Sequence, residues 1–349
     1  MNTWITFLSQ QGASISDTTS LEVQGFNTKR NNHDFVAPLT DLGLITLSGE
    51  EAASFLHNQI TNDVEHLAIN EARLAGYCTP KGRLLATLLM WKSNDTIYLQ
   101  LPREILTAIQ KRLQMFVLRA KVKLADASDS YVALGLVGHA TGAALLPWFS
   151  TLPALIYGKV DSDNGTIIRL PDVFGAPRYQ WICPTNIAQM AWPTITQLIS
   201  PAGTHAWRLT DIQAGVPRIT QATQDQFVPQ MINYELIGGV NFKKGCYPGQ
   251  EIVARSQYLG KLKRRMVIAS IETESTTQHV KASDEIFSST DPNQPCGMIV
   301  NVERVSDNDM LCLAEIKVEA IQAGTVHLGS LQGPLLHFKE MPYPFTVPG

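Results

Sequence analysis

The 349-residue sequence holds no G-x-S-x-G elbow, no phosphate-binding P-loop, no G-x-G-x-x-G and no H-E-x-x-H. Their absence leaves no local signature for a serine hydrolase, a nucleotide-binding loop or a helical zinc site. The five cysteines, Cys78, Cys183, Cys246, Cys296 and Cys312, form no C-x-x-C pair and are odd in number. That count speaks against a disulfide framework, a zinc site and a self-contained iron-sulfur ligand set, so no metal site is expected and a reducing compartment is implied. No stretch reaches the ~18 apolar residues of a membrane span, and Met1 to Gln11 has no basic leader region. The expectation is a cytoplasmic protein without a membrane partner. Charge is also sparse: 17% of residues are charged and the net charge is -3, which by itself implies neither a nucleic-acid nor a membrane partner.

What charge there is clusters. Lys243, Lys244, Arg255, Lys261, Lys263, Arg264 and Arg265 stand against Glu251 alone between residues 241 and 265, a segment of +6 in a chain of -3. A second basic run, Arg103, Lys111, Arg112, Arg119, Lys121 and Lys123 against Glu104, lies on and after an expected helix. Each run is ordinarily a solvated face; converging in space, the two would suit an anionic ligand such as a polyglutamate tail, or RNA phosphates.

The first basic run contains Asn241-Phe242-Lys243-Lys244-Gly245-Cys246-Tyr247-Pro248-Gly249-Gln250-Glu251. A thiol acts as nucleophile or ligand only as thiolate, and nearby cations or a helix N-terminus favour that form. The alternative is a small buried hydrophobe in a turn, the common fate of a free cysteine. Eight histidines leave a Cys-His pair open, with nothing local to mark the base. His57 and His66 read as surface or satisfied residues. A second informative stretch is Trp207-Arg208-Leu209-Thr210-Asp211 to Pro217. A tryptophan beside polar groups can stack on a flat heterocycle, with Arg208 or Asp211 meeting its polar groups; the alternative is a core tryptophan on an amphipathic helix.

Periodicity gives the coarse architecture. Residues 1 to 34 read as an extension or loosely packed arm. Leu42 to Leu47 reads as a strand, and Ser48-Gly49-Glu50-Glu51 as a capping box opening a helix with Ala52, Phe55, Leu56 and Ile60 on one face. Strands at Arg73 to Cys78, Leu84 to Trp91 and Thr96 to Leu101 form a meander. Pro102 opens a helix carrying Ile105, Ile109, Leu113 and Phe116 on one side. Strands follow at Lys121 to Leu124, Tyr131 to Val137, Thr166 to Leu170 and Tyr179 to Cys183, with a loop from Pro171 to Pro177. Helices are expected from Thr185 to Leu198 and from Ala206 to Gln213. From Leu262 onward short apolar-alternating runs at Met266 to Ile271, Cys296 to Val302, Met310 to Val318 and Leu335 to Phe338 point to a β-barrel or sandwich. The whole is α+β with largely antiparallel sheets.

Lys244-Gly245-Cys246-Tyr247-x-Gly249-Gln250-Glu251-x-Val253-x-Arg255 resembles the signature of the YgfZ-type folate-binding proteins, relatives of the aminomethyltransferase (T-protein) of the glycine cleavage system. The resemblance extends to Phe55 to Val64, to Cys78-x-x-Lys81-Gly82-Arg83, to Trp207 to Pro217, and to Gln226 to Gln230 and Leu236 to Lys243. It implies a three-domain, ring-like aminomethyltransferase-type fold with a C-terminal β-barrel. The expected parts are an extension over 1–34, α+β parts over 35–130 and 131–261 that are free to interleave, and the barrel over 262–349. It further implies tetrahydrofolate or a one-carbon derivative as ligand, a role in iron-sulfur cluster assembly or repair, and a link to tRNA modification, with iron-sulfur proteins or assembly factors and tRNA or its modifying enzymes as partners. On this resemblance Cys246 and Lys244 are the candidate catalytic residues, and Trp207, Lys243, Tyr247, Gln250, Glu251 and Arg255 the candidate folate-binding ones. A folate-dependent one-carbon transferase and an RNA-binding accessory are the alternatives. Two departures count against glycine-cleavage chemistry: Gly82 to Leu88 carries no carboxylate, and Pro177-Arg178-Tyr179-Gln180-Trp181-Ile182 replaces the relatives' acidic pterin-reading segment. The position of a second folate-stacking aromatic falls on Leu42, which leaves the group opposite Trp207 open.

Overall fold

A computed structural model describes residues 3–16, 21–27, 34–259, 262–273 and 279–345. Residues 1–2, 17–20 and 28–33 of the expected extension, and Lys261 of the basic run, lie outside these. The fold is α+β, as expected, and its sheets are antiparallel apart from a short parallel pairing of Ser200–Pro201 with Phe35 and Val36. The chain forms two compact units, one of residues 1–55, 64–73 and 89–207, the other of residues 56–63, 74–88 and 208–349. It passes from one to the other inside regular elements, for example within the strand Leu84–Ser93 and the helix Thr204–Gln213.

In the first unit a six-stranded sheet runs in the order Lys159–Ser162, Gly165–Val173, Ala176–Pro184, Tyr131–Val137, Phe35–Pro38, Ser200–Pro201. Alternation along Tyr131–Val137 sends Val132, Leu134 and Leu136 into one core. The helix Thr185–Leu198 covers that face with Ala188, Ala191, Trp192 and Ile195, the i, i+3, i+4, i+7 spacing of a buried helical stripe. The residues expected as a loose arm contribute to the same core. Thr3–Gln10 is a helix, and Trp4 and Leu8 are 4% and 0% exposed, with Trp4 set edge-on to Trp192 at 5.8 Å. Trp192 lies 188 residues from Trp4 in sequence, so no local pattern announces that contact.

Several boundaries move for identifiable reasons. Ser48 ends its strand paired with Lys123, Glu51 accepts a hydrogen bond from the Lys121 backbone N–H at 2.7 Å, and the helix spans Ala52–His57, starting four residues after Ser48. Ile60 leaves that helix and bridges to Tyr77. Phe116 follows the last turn of Arg103–Met115 and is exposed, not part of its buried face. The expected loop at Pro171 to Pro177 is a tight hairpin. Phe174 and Gly175 have φ of 55° and 68°, the left-handed pair of a type I′ turn, and Val173 pairs with Ala176.

In the second unit a C-terminal sheet has the order Val326–Leu328, Glu285–Ser288, Asp291–Arg304, Asp309–Lys317, Arg264–Glu272, Leu336–Lys339. It curls until its two edges meet at the single bridge His327 to Leu335. Val267, Ala269, Ile271, Ile299, Cys312, Ala314 and Ile316 fill its inside. Gly297 lies directly against the Glu315 carbonyl oxygen, a place a side chain would fill. The strands Glu285–Ser288 and Val326–Leu328 escape sequence reading because three or four residues give too short an alternation.

This sheet buries a charge. Glu315 is 0% exposed and its carboxylate is held by Arg264 Nη1 at 3.0 and 2.9 Å. Burial pushes its pKa up from 4.5 to about 7, with Arg264 opposing the shift. A folded-state pKa raised above the unfolded value stabilises the fold fully below the unfolded pKa and less as pH rises through the folded one. Stability should therefore fall between pH 4.5 and about 7 from this group, by on the order of 3 kcal/mol. Urea denaturation across that range should show the decline, and Glu315→Gln should flatten it.

Candidate functional site

The second unit brings together three segments that are far apart in sequence: 57–63, 78–83 and 241–258. The residue that starts the assembly is Thr61, 0% exposed. Its hydroxyl donates to the Gly239 carbonyl oxygen at 2.6 Å and accepts from the Gly76 N–H at 2.6 Å, while its carbonyl oxygen takes the Asn241 N–H at 2.9 Å. Asn62 repeats the tie, its Nδ2 donating to the carbonyl oxygens of Leu74 at 2.6 Å and Gly238 at 2.8 Å. Tyr234 completes it, donating to Ala75 O at 3.0 Å while its ring fills the space beside Gly239. The run Leu236 to Asn241 is thus stitched to the hairpin made by Ala72–Cys78 and the start of Leu84–Ser93.

That stitching delivers the Lys243 to Gly249 loop against residues 57–60. The Lys244 ammonium donates to the carbonyl oxygens of His57 and, at 2.8 Å, Ile60, and lies 5.0 Å from the centre of the Tyr247 ring. Lys244 is therefore a clamp on the loop. His57 is buried, its Nδ1 is 3.2 Å from Asp63 Oδ1, and its Nε2 faces Gly245. Lys243 is exposed and its backbone N–H is capped by Asn241 Oδ1 at 2.8 Å.

The far end of the loop is set by two glycines. Gly249 has φ of 83° and Gly82 has φ of 73°, conformations that glycine adopts freely. A Cβ on Gly249 would lie 2.6 Å from the Cα and N of Gly82 and closer still to the Thr79 carbonyl oxygen. The turn of the hairpin and the start of the helix Gln250–Tyr258 thus touch backbone to backbone. The helix is held from behind by Gln230, 0% exposed, whose Nε2 donates to Val253 O at 2.8 Å. Glu251 is exposed in the first turn and Arg255 exposed in the last, each favourable to the helix dipole. Gln250 is half-buried.

Within this frame Tyr247 is 7% exposed and Cys246 is exposed. Burial raises the hydroxyl pKa of Tyr247, with the Cys78 thiol as a second cause. Cys78, Cys183, Cys296 and Cys312 are all buried. Burial pushes Cys78 and Cys312 to about 12, Cys296 to about 11, and Cys183 upward as well. Of the five thiols, the one on the loop alone meets solvent.

Trp207 belongs to the first unit. It is 1% exposed, with the Gly135 backbone against its ring and the Arg178 guanidinium 4.4 Å from the ring centre. A guanidinium over a buried indole contributes about 2 kcal/mol. Arg178 is itself 0% exposed, and it occupies the ring face for which the sequence offered no aromatic partner. The neighbouring polar groups are spent on ion pairs in the second unit: Arg208 with Glu303, and Asp211 with Arg218 at 2.8 Å. Among the described residues no group of three or more His, Cys, Asp and Glu forms a metal-ligand set, and no helix is long and apolar enough to cross a membrane.

Thr61, Asn62, Tyr234, Gln230 and Gly82 shape the site without having been singled out as site residues. Their partners lie between 12 and 178 positions away in the case of Thr61 and Asn62, beyond any local motif. Gly249→Ala should lower the unfolding free energy by about 2 kcal/mol or more through left-handed strain and the clash with Gly82 and Thr79, measured by denaturant titration. Iodoacetamide at neutral pH should modify Cys246 at least about tenfold faster than any other thiol. Peptide mapping of the alkylated protein checks this, and Cys246→Ser should remove the fast phase.

No protein-family model matches the chain. It is 33% identical over 229 residues to the tRNA-modifying protein YgfZ of Photorhabdus laumondii, covering 65% of this chain and 68% of that protein. To the tRNA-modifying protein YgfZ of Klebsiella pneumoniae it is 32% identical over 231 residues, covering 65% and 69%. Its structure resembles that of the glycine cleavage system aminomethyltransferase T from Bartonella henselae, with a TM-score of 0.77 over 97% of this chain and 96% of that one. At 15% identity this likeness establishes the fold. The relatives' identity and coverage decide the family: the chain belongs to the family of the tRNA-modifying protein YgfZ.

Proposed function

We propose that this protein binds tetrahydrofolate or a one-carbon derivative and serves as an accessory factor in iron-sulfur cluster assembly or repair connected to tRNA modification, with Cys246 as its reactive group. The observation that carries the reading is the setting of Cys246: a solvent-exposed thiol on a loop held by Lys244, Thr61 and the Gly82 to Gly249 contact, beside four buried and inert thiols. A cysteine kept only for packing needs no such frame. The family supports the link to tRNA, and the aminomethyltransferase fold supports a folate ligand.

In this reading Trp207, Lys243, Tyr247, Gln250, Glu251 and Arg255 contribute to the folate site. Exposed Lys243 and Arg255 would meet the anionic tail. Cys246 would act on a one-carbon unit or on a sulfur or cluster species in transit, and Lys244 would hold it in position. The strand Leu84–Ser93 offers Leu84, Leu85, Ala86, Thr87 and Leu88 where glycine-cleavage chemistry calls for an acid, so that reaction is not proposed.

Tetrahydrofolate near a hundredfold excess over its Kd should stabilise the native state by about 2.7 kcal/mol and raise Tm by several degrees. Differential scanning fluorimetry reads the ligand-induced shift against each variant's own baseline. Cys246→Ser should keep the shift and Trp207→Phe should lose most of it. No shift for the wild-type chain near millimolar ligand would remove the folate reading.

A further inference from the structure

The first unit carries a cavity of about 230 Å³ that none of the proposed folate-site residues and no residue of the Cys246 loop lines. It opens where the turn after Leu84–Ser93 meets the hairpin joining Lys159–Ser162 to Gly165–Val173. Its wall is aromatic: Trp91 stacks on Tyr98 at 5.3 Å with the rings 3° from parallel, and Tyr131 meets Tyr98 edge-on at 6.0 Å. Its floor is a built polar network. Asp161 Oδ1 accepts from Ser93 Oγ at 3.0 Å and Thr166 Oγ1 at 2.6 Å, and its Oδ2 pairs with the Lys159 ammonium, which also donates to Ser93 at 3.3 Å.

The charges facing the cavity are unbalanced. Lys159 is 0% exposed at its side chain and is paired with Asp161, whose side chain remains 35% exposed. Asp163 adds a second, exposed carboxylate to the lining. Two carboxylates against one buried ammonium leave the cavity negative, and Trp91, Tyr98 and Tyr131 line it beside them. A cation desolvated against aromatic rings and met by a carboxylate is the combination that recognises alkylammonium and guanidinium groups.

We propose that this cavity is a binding site for a small organic cation, seated against Tyr98 and Tyr131 with its charged group toward Asp161 and Asp163. The site is independent of the folate reading and of Cys246, so neither stands or falls with the other.

Three probes of one shape and different charge test it: benzylamine, benzyl alcohol and benzoate, titrated calorimetrically into the full chain at low salt. Benzylamine should bind in the millimolar range or tighter and at least about tenfold more strongly than the other two. Asp163→Asn, at an exposed position, should weaken benzylamine about fivefold or more, and Tyr131→Leu should do the same by removing a wall. Asp161→Asn strands the buried Lys159 charge and is destabilising for that reason, so Asp163→Asn is the deciding variant. Absence of benzylamine binding up to ~20 mM, equal binding of benzoate, or an unchanged affinity in Asp163→Asn would each overturn the proposal.

Discussion

Everything that presents Cys246 depends on a contact between two backbones. Gly82 turns the hairpin and Gly249 starts the helix Gln250–Tyr258, both with positive φ, and Gly249 has no room for a side chain. The contact holds the far end of the loop as Lys244 and Thr61 hold the near end. A loop pinned at both ends spends little conformational entropy when a ligand or partner arrives, and its exposed thiol keeps a defined position. The polar atoms that do the pinning are buried and paired, which makes them costly to disturb and suited to holding one geometry.

Charge is handled in a consistent way around this frame. Cations on the protein's basic segment are used for structure as often as they are left to solvent. Lys244 is turned onto carbonyl oxygens, Arg264 compensates buried Glu315, and Arg265 reaches Glu235 at 2.5 Å, while Lys243 and Arg255 stay exposed. A count of lysines and arginines along residues 241–265 therefore overstates the positive field available to an anionic ligand. The same applies to the second basic run, where Lys121 pairs with Glu50 and Arg103 with Asp129.

How far the fold was legible follows from where its contacts lie. Elements whose partners are close, such as the meander through Pro102 and the helix Thr185–Leu198, are readable from period and turn chemistry because their burial pattern repeats within one segment. The helix Thr3–Gln10 was not, because its buried face is defined by Trp192 and other residues of a distant core. Ser48 to Glu51 had the residues of a capping box in the right order, yet Ser48 ends a strand opposite Lys123 and Glu51 takes the Lys121 backbone N–H, partners some 70 residues away. The passages between the two compact units carry no sequence mark for a related reason: the chain changes units inside helices and strands, where no linker composition stands.

The sequence by itself determined the class of fold, the family resemblance carried by Lys244 to Arg255, and the absence of the common catalytic and disulfide signatures. Chemistry of residue type and short spacing is enough for those. Only the tertiary structure decided which cysteine meets solvent, that Lys244 is a clamp, that Trp207 lies under Arg178, and that Gly82 and Gly249 share one contact. These are properties of groups far apart along the chain. Burial, pairing and close backbone approach arise only when the chain has closed on itself, so no single stretch of sequence contains them.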